Sequence, residues 1–147
     1  MSQSGGSYAG DVTPVEAWAS LEGDPTAALV DVRTTAEWSF VGIPDLSPLS
    51  KRPLLHEWQR YPSMAVDPAF AERVAEALTQ AGATPDSPVF FLCRSGARSQ
   101  AAAAALAALG WSRCFNVAGG FEGPLDPQRH RGGTEGWKAD GLPWIQS

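Results

Sequence analysis

Cysteine is scarce in this chain, and so are histidine, basic runs and long apolar stretches. Of 147 residues two are cysteine, Cys93 and Cys114, and two are histidine, His56 and His130. A secreted disulfide scaffold needs more bridges, and there is no Cys-x-x-Cys pair for redox chemistry. Two Cys and two His far apart in sequence do not make a structural zinc site, so neither a metal nor a cofactor is expected. No run of about 18 apolar residues exists, which argues against a membrane-spanning helix. Residues 1–10 are polar and Gly/Ser-rich, without the apolar segment of a signal peptide. These absences lead to the expectation of a cytoplasmic protein with reduced thiols and no membrane partner. Eleven Lys and Arg stand against 16 Asp and Glu, a formal net charge of −5. With no basic cluster, nucleic acid is not an expected partner.

What is present reads as one globular domain. The chain is 44% hydrophobic and 18% charged, with six Trp. A domain of about 150 residues buries roughly 68–70% of its unfolded surface, enough for a core without staples. Residues 1–10 are expected to be a flexible tail and residues 11–147 the domain.

Strand and helix signals alternate along it. Thr13-Pro14-Val15-Glu16 is a capping box with Pro at the first helical position, so a short helix should follow, facing inward with Val15, Trp18 and Ala19. Residues 27–32 suit a buried strand. Thr34 to Trp38 can turn helical, which would put Arg33 and Glu37 four apart. Residues 42–68 carry five Pro together with Trp58 and Tyr61. That segment is expected to form a packed lid or flap with one helical turn. Asp67-Pro68 opens a second helix with Phe70, Val74, Ala77 and Leu78 as its stripe, ended by Gly82. Pro88-Val89-Phe90-Phe91-Leu92 is a continuous apolar run, the mark of a central parallel strand covered on both faces. A helix from Ser99 to Leu109, a strand from Cys114 to Val117, a Gly/Pro-rich excursion over 122–136 and a last helix around Glu135 to Asp140 complete the reading. Alternating strands and helices indicate an α/β domain with a parallel sheet.

The chemistry concentrates at Cys93-Arg94-Ser95-Gly96-Ala97-Arg98-Ser99. The heptad lies between a buried strand and a helix, where open parallel sheets hold ligands. Backbone N–H groups in a tight Gly-containing turn form an anion nest, and the following helix adds its positive end. Arg94 and Arg98 add formal charge. Such surroundings favour the thiolate, the nucleophilic form of cysteine. Cys114, in a short apolar strand, reads as a buried core thiol, with a resolving partner for Cys93 as the alternative. His56 and His130 read as surface residues.

With these residues in view, the chain resembles the single-domain rhodanese family, thiosulfate sulfurtransferases of bacterial type. Four motifs agree in order over residues 12–144: Asp31-Val32-Arg33 with Glu37-Trp38; the loop Cys93–Ser99; Asn116-Val117 with Gly119-Gly120; and Gly136-Trp137 through Gly141-Leu142-Pro143. The resemblance implies a central parallel sheet of about five strands with helices on both faces. It also implies an enzyme of the sulfurtransferase class. Cys93 would take a sulfane sulfur from a donor such as thiosulfate, holding it as a persulfide, and pass it to cyanide or a thiol. A protein sulfur acceptor is compatible with the same chemistry. Arg94, Ser95, Gly96, Ala97, Arg98 and Ser99 would bind substrate, and Asp31 and Arg33 would support the loop.

Two departures from the family pattern stand out. The segment Val41-Gly42-Ile43-Pro44-Asp45-Leu46 lacks the family's His, and residues 122–135, with Arg129, His130 and Arg131, separate motifs that are normally closer. The long segment 45–67 that follows the first, or residues 122–135, or both, are expected to shape the acceptor pocket. Two other functions are alternatives. A Cys-dependent phosphatase or arsenate reductase needs Arg six positions after Cys, but Ser99 stands there and Arg98 comes one position early. A non-catalytic regulatory binding module is the other, against which the intact loop speaks, while a sulfur relay to a protein partner stays open.

Overall fold

The structure is a computed structural model and describes residues 8–60, 63 and 65–146. In chain order it contains β1 (Gly10–Val12), α1 (Pro14–Gly23), β2 (Ala28–Asp31), α2 (Thr35–Val41), β3 (Ile43–Pro44), β4 (Leu54–Leu55), β5 (Gln59–Arg60), β6 (Ala65–Val66), α3 (Phe70–Gln80), β7 (Val89–Leu92), α4 (Ala97–Ala107), β8 (Cys114–Val117) and β9 (Trp144–Ile145). A 3-10 turn at Ser47–Leu49 lies between β3 and β4. Five strands form one sheet in the order β1-β8-β7-β2-β4, and every pairing in it is parallel. The fold is α/β with a five-stranded parallel sheet and four helices. No helix among the described residues is long and apolar enough to cross a membrane.

The apolar run of β7 explains the layering. All four of its residues are buried, and successive side chains point to opposite faces. Val89 and Phe91 pack with Phe70, Val74 and Leu78 of α3 and with Ala102, Ala103 and Leu106 of α4. Phe90 and Leu92 pack on the other face with Ala17 and Leu21 of α1, Phe121 and Trp137. A strand sandwiched this way has no polar face, so its sequence shows no alternation.

Several local expectations shift. In α1 the Thr13–Glu16 capping box forms in both directions, but the buried stripe is Pro14, Ala17 and Leu21, with Val15 54% exposed. Trp18 lies at the margin, edge-on to Trp137, and Ala19 is exposed. Spacing fits either stripe in a helix of ten residues, and the close approach of Ala17 to the sheet decides between them. Helix α3 starts at Phe70 rather than at Asp67, because the Asp67 side chain accepts from the Ala69 N–H and its carbonyl from the Phe70 N–H. Helix α4 starts at Ala97, two residues earlier than expected, which places Arg98 and Ser99 in its first turn.

The expected helix at residues 135–140 does not form; turns stand there instead. The N–H groups of Trp137 and Lys138 donate to the carbonyls of Gly120 and Phe121. Trp137 is fully buried, with its indole N–H on Pro143 O at 2.7 Å. One i→i−4 bond does close, from the Asp140 N–H to Gly136 O, but the Gly141 and Leu142 N–H groups turn back to the carbonyls of Lys138 and Trp137, so the chain makes a single turn and stops.

The segment 45–67 is not a lid over the heptad. Leu54-Leu55 adds the edge strand β4 to β2, and β5 pairs antiparallel with β6. Trp58 packs edge-on against Phe70 at 5.0 Å, and Tyr61 lies outside the described residues. Of the expected tail, residues 1–7 also lie outside them, whereas Gly10 belongs to β1 and Tyr8 packs against the core.

Candidate functional site

Cys93 follows β7 directly, at the carboxyl end of the sheet's middle strand. It is 1% exposed. Its carbonyl accepts from the Phe121 N–H at 2.8 Å, and the Arg94 carbonyl accepts from the N–H groups of Glu122 and Gly123. The loop's first two carbonyls are thereby turned toward residues 121–123. The Gly96 N–H is turned the other way, to the Cys93 Sγ at 3.1 Å. Gly96 has φ +121, a conformation only glycine adopts without strain. Gly120, at φ +62, is required for a second reason. A Cβ there would lie 2.6 Å from the Arg94 carbonyl oxygen, so any other residue would push the loop away.

Ser99 also reaches the sulfur. Its Oγ is 3.2 Å from Cys93 Sγ, 3.1 Å from Gly96 O and hydrogen-bonded to Asn116 Oδ1. Asn116, on β8, is 2% exposed, and its Nδ2 donates to Asp11 Oδ1 on β1 at 3.1 Å.

The arginines divide. Arg98 is held by Glu37 in a two-pronged pair, 2.7 Å to Oε1 and 2.9 Å to Oε2. The same carboxylate caps α2, where it accepts from the Thr34 N–H and hydroxyl. Burial pushes the Glu37 carboxyl up, but the Arg98 hydrogen bonds and charge, with those of Thr34, outweigh it and hold it below the ordinary range. The hydrogen bonds to Glu37 bind the Arg98 proton still more firmly than usual. Arg33 does not pair with Glu37. It is fully buried and pairs with Asp31 instead, its Nε and Nη2 on the two carboxylate oxygens, and Nη2 also reaches Gly42 O at 2.7 Å. Helix α2 begins only at Thr35, so Arg33 precedes it and has no i+4 neighbour on its face. The Arg33 guanidinium lies 4.2 Å from the centre of the Phe121 ring. Phe121 in turn donates its N–H to the Cys93 carbonyl, so the buried pair abuts the segment that clamps the loop.

Arg94, Ser95 and Ala97 are exposed. Arg94 and Arg98 line a cavity of about 380 Å³ together with Glu37, Val41, Glu122 and Arg131. The excursion over 122–135 thus contributes to the wall beside the heptad, through Glu122 and Arg131. Arg131 is steadied by a bond from Nη1 to Gly123 O at 2.8 Å. Arg129 and His130 are exposed and outside that wall. No residue of 45–67 lines this cavity. His56 is half-buried beside Asp67 and Phe70; burial lowers its proton affinity against the pull of Asp67.

Cys114 lies at the other end of the sheet. It is opposite Val89 in the ladder, and Cys93 is four residues further on, about 13 Å at roughly 3.3 Å per residue. A disulfide needs Cα atoms within about 7 Å, so the resolving-cysteine alternative fails within one domain. Desolvation pushes the Cys114 thiol up to about 12.

Sequence reasoning named Asn116 only as part of a motif and missed Asp11 and Glu122 as neighbours of the site. It also assigned Glu37 to the wrong arginine. The double capping signature Thr34/Glu37 could have flagged that carboxylate as fixed in place.

Comparison with known proteins agrees with this arrangement. Residues 13–124 match the rhodanese-like domain family. An uncharacterized protein of Rickettsia prowazekii, RP600, is 37% identical over 118 residues, covering 80% of this chain and 82% of its own. Its homologue in Rickettsia rickettsii is 34% identical, over 91% of this chain and 95% of its own. The crystal structure of Rv0390 from M. tuberculosis superimposes with a TM-score of 0.82 at 45% identity, over 96% of this chain and all of that one. The polysulfide-sulfur transferase homodimer of Wolinella succinogenes shares the fold, with a TM-score of 0.56 at 21% identity over 93% of this chain and 78% of that one. The strand-exit cysteine loop, its clamp at Gly120 and the match over most of the chain agree: this protein belongs to the rhodanese-like domain family.

Proposed function

We propose that the protein is a sulfurtransferase working through a persulfide on Cys93. The Cys93 thiolate attacks the outer sulfur of a donor such as thiosulfate. A new S–S bond forms, the old one breaks, and sulfite leaves with the bonding pair. A thiol or cyanide then attacks the outer sulfur of the persulfide and regenerates the thiolate, a two-stage covalent mechanism. No cofactor is needed. Arg94, Ser95, Gly96, Ala97, Arg98 and Ser99 form the binding loop, and Asp31 and Arg33 act as its support. The observation that carries this reading is the Cys93 Sγ at the strand exit, receiving the Gly96 N–H, in a loop whose Arg94 and Arg98 wall a cavity together with Arg131.

Intact-mass measurement after incubation with thiosulfate tests it. Wild type should gain about 32 Da, one sulfur atom, and Cys93→Ser should not. No gain with thiosulfate, cysteine persulfide or mercaptopyruvate would overturn the reading. Phosphomonoester turnover that depends on Cys93 would put a phosphatase in its place.

A further inference from the structure

The sulfur of Cys93 shares a single proton donor with a competitor. Ser99 carries one hydroxyl proton, yet three acceptors lie within reach of its Oγ: Cys93 Sγ, Gly96 O and Asn116 Oδ1. Asn116 cannot yield its claim by turning over. Its Nδ2 donates to Asp11 Oδ1, and a carboxylate only accepts. Flipping the amide would set its oxygen against the Asp11 carboxylate. The parallel register that places Asp11 beside Asn116 fixes this relation. The Asn116 oxygen therefore faces Ser99, and the Ser99 proton goes to it. That leaves Ser99 Oγ with its lone pairs toward the sulfur, which suits a protonated thiol donating S–H to Ser99.

We propose that Asp11 and Asn116 are positioning residues that withhold the Ser99 proton from Cys93 and so restrain formation of its thiolate. When the thiol proton departs to solvent, the Ser99 hydroxyl must rotate toward the sulfur and abandon Asn116 Oδ1, leaving a buried acceptor unpaired. That cost opposes ionisation. The proposal extends the reading of Cys93 as the reactive sulfur, but its test does not need sulfur transfer.

Asp11→Asn removes the lock. The new amide can accept from or donate to Asn116, and the Tyr8 hydroxyl, which donates to the same Asp11 oxygen at 2.8 Å, can accept as well as donate, so the Asn116 amide can turn, donate to Ser99 Oγ and release the hydroxyl proton to the sulfur. The charged groups around Cys93 stay unchanged: Arg94 and Arg98 from its own loop and helix, Asp31 and Arg33 at the end of β2, and Glu37 of α2 beyond Arg98. The pH profile of Cys93 alkylation by iodoacetamide, followed by peptide mapping, reads the effect. The midpoint should fall by about one unit in Asp11→Asn, a tenfold gain in rate below the midpoint. Asp11→Glu, which keeps the carboxylate, should restore the wild-type profile. In a Ser99→Ala background Asp11→Asn should shift nothing. An unchanged or raised midpoint in Asp11→Asn overturns the proposal, as does an equal shift without the Ser99 hydroxyl, which would mark a mere loss of charge. Should Ser99→Ala not fold, salt separates the two: at 1 M, where the screening length is about 3 Å, a shift carried by the hydrogen bond persists. One that salt erases overturns the proposal.

Discussion

The two cysteines stand at the exit of one strand and the start of its neighbour and are almost equally buried, 1% and 0% exposed, yet their surroundings oppose each other. Cys114 begins β8 among apolar side chains, and the one hydrogen-bond partner of its thiol among the described residues is Trp111 O at 3.6 Å. There burial acts alone and raises the thiol. Cys93 follows the last residue of β7, where the chain turns and backbone N–H groups have no strand partner to go to. One of them, Gly96, goes to the sulfur. Burial by itself therefore says nothing about a thiol's chemistry. What matters is whether the burying atoms are methyls or oriented donors.

The sharpest way to break that contrast is competitive alkylation of the native protein. With a thiol at about 12, Cys114 is ionised in about one molecule in 10⁵ at pH 7. Iodoacetamide should label Cys93 and leave Cys114 untouched until the chain is unfolded, as mapped by mass spectrometry. Labelling of both at similar rates would erase the distinction.

The next test weakens what stands behind Cys93. Asp31→Asn leaves Arg33 buried and without its counter-charge, at a cost of about 3–5 kcal/mol. The loss should appear as a lowered denaturation midpoint. Cys114→Ala removes only packing atoms at the quiet end of the sheet and should cost less, about 1–2 kcal/mol.

Glu37→Gln acts on the more open pair, whose side chains are each 19% exposed. It should cost about 1–3 kcal/mol at neutral pH, and the pH dependence gives it a signature. The Glu37 carboxyl is held below its ordinary value in the folded protein. Its contribution is full above the unfolded carboxylate value of about 4.3 and is lost as pH falls through the folded value. Wild type should lose this increment of stability in acid, and Glu37→Gln, lacking it throughout, should fall less steeply in a urea series over the same range.

The smallest effect is expected at the cavity wall. Arg131→Ala should raise the KM for anionic thiosulfate about twofold to fivefold, the worth of one partly solvated charge contact, with kcat little changed. Arg129→Ala, exposed and outside that wall, should change neither, which makes it the internal control for steady-state assays.

Much of this contrast is legible before any coordinates. A continuous apolar run ending at Cys93, followed by Gly and two Arg, already distinguishes that cysteine from one inside a short strand. The loop groups that meet the sulfur are local, within three residues of it for the Gly96 N–H and six for the Ser99 hydroxyl, so their part could be read from spacing. The supports were less legible. Residues 45–67 have too many Pro for a regular pattern, and the two-residue strand β4 is too short for any periodicity to reveal it.

By itself, the amino-acid order determined the alternation of strands and helices, the buried central strand, the Cys93–Ser99 loop at its exit and the family to which these belong. Each is set by contacts a few residues apart or by burial on both faces of one strand. Only the tertiary structure decided which partner each polar group takes. Glu37 meets Arg98 across 61 residues, not Arg33 four residues away, and Asn116 meets Asp11 across 105. The reason is geometric: spacing along the chain offers a charged group several partners, and the sheet order and strand register bring only one of them within bonding distance.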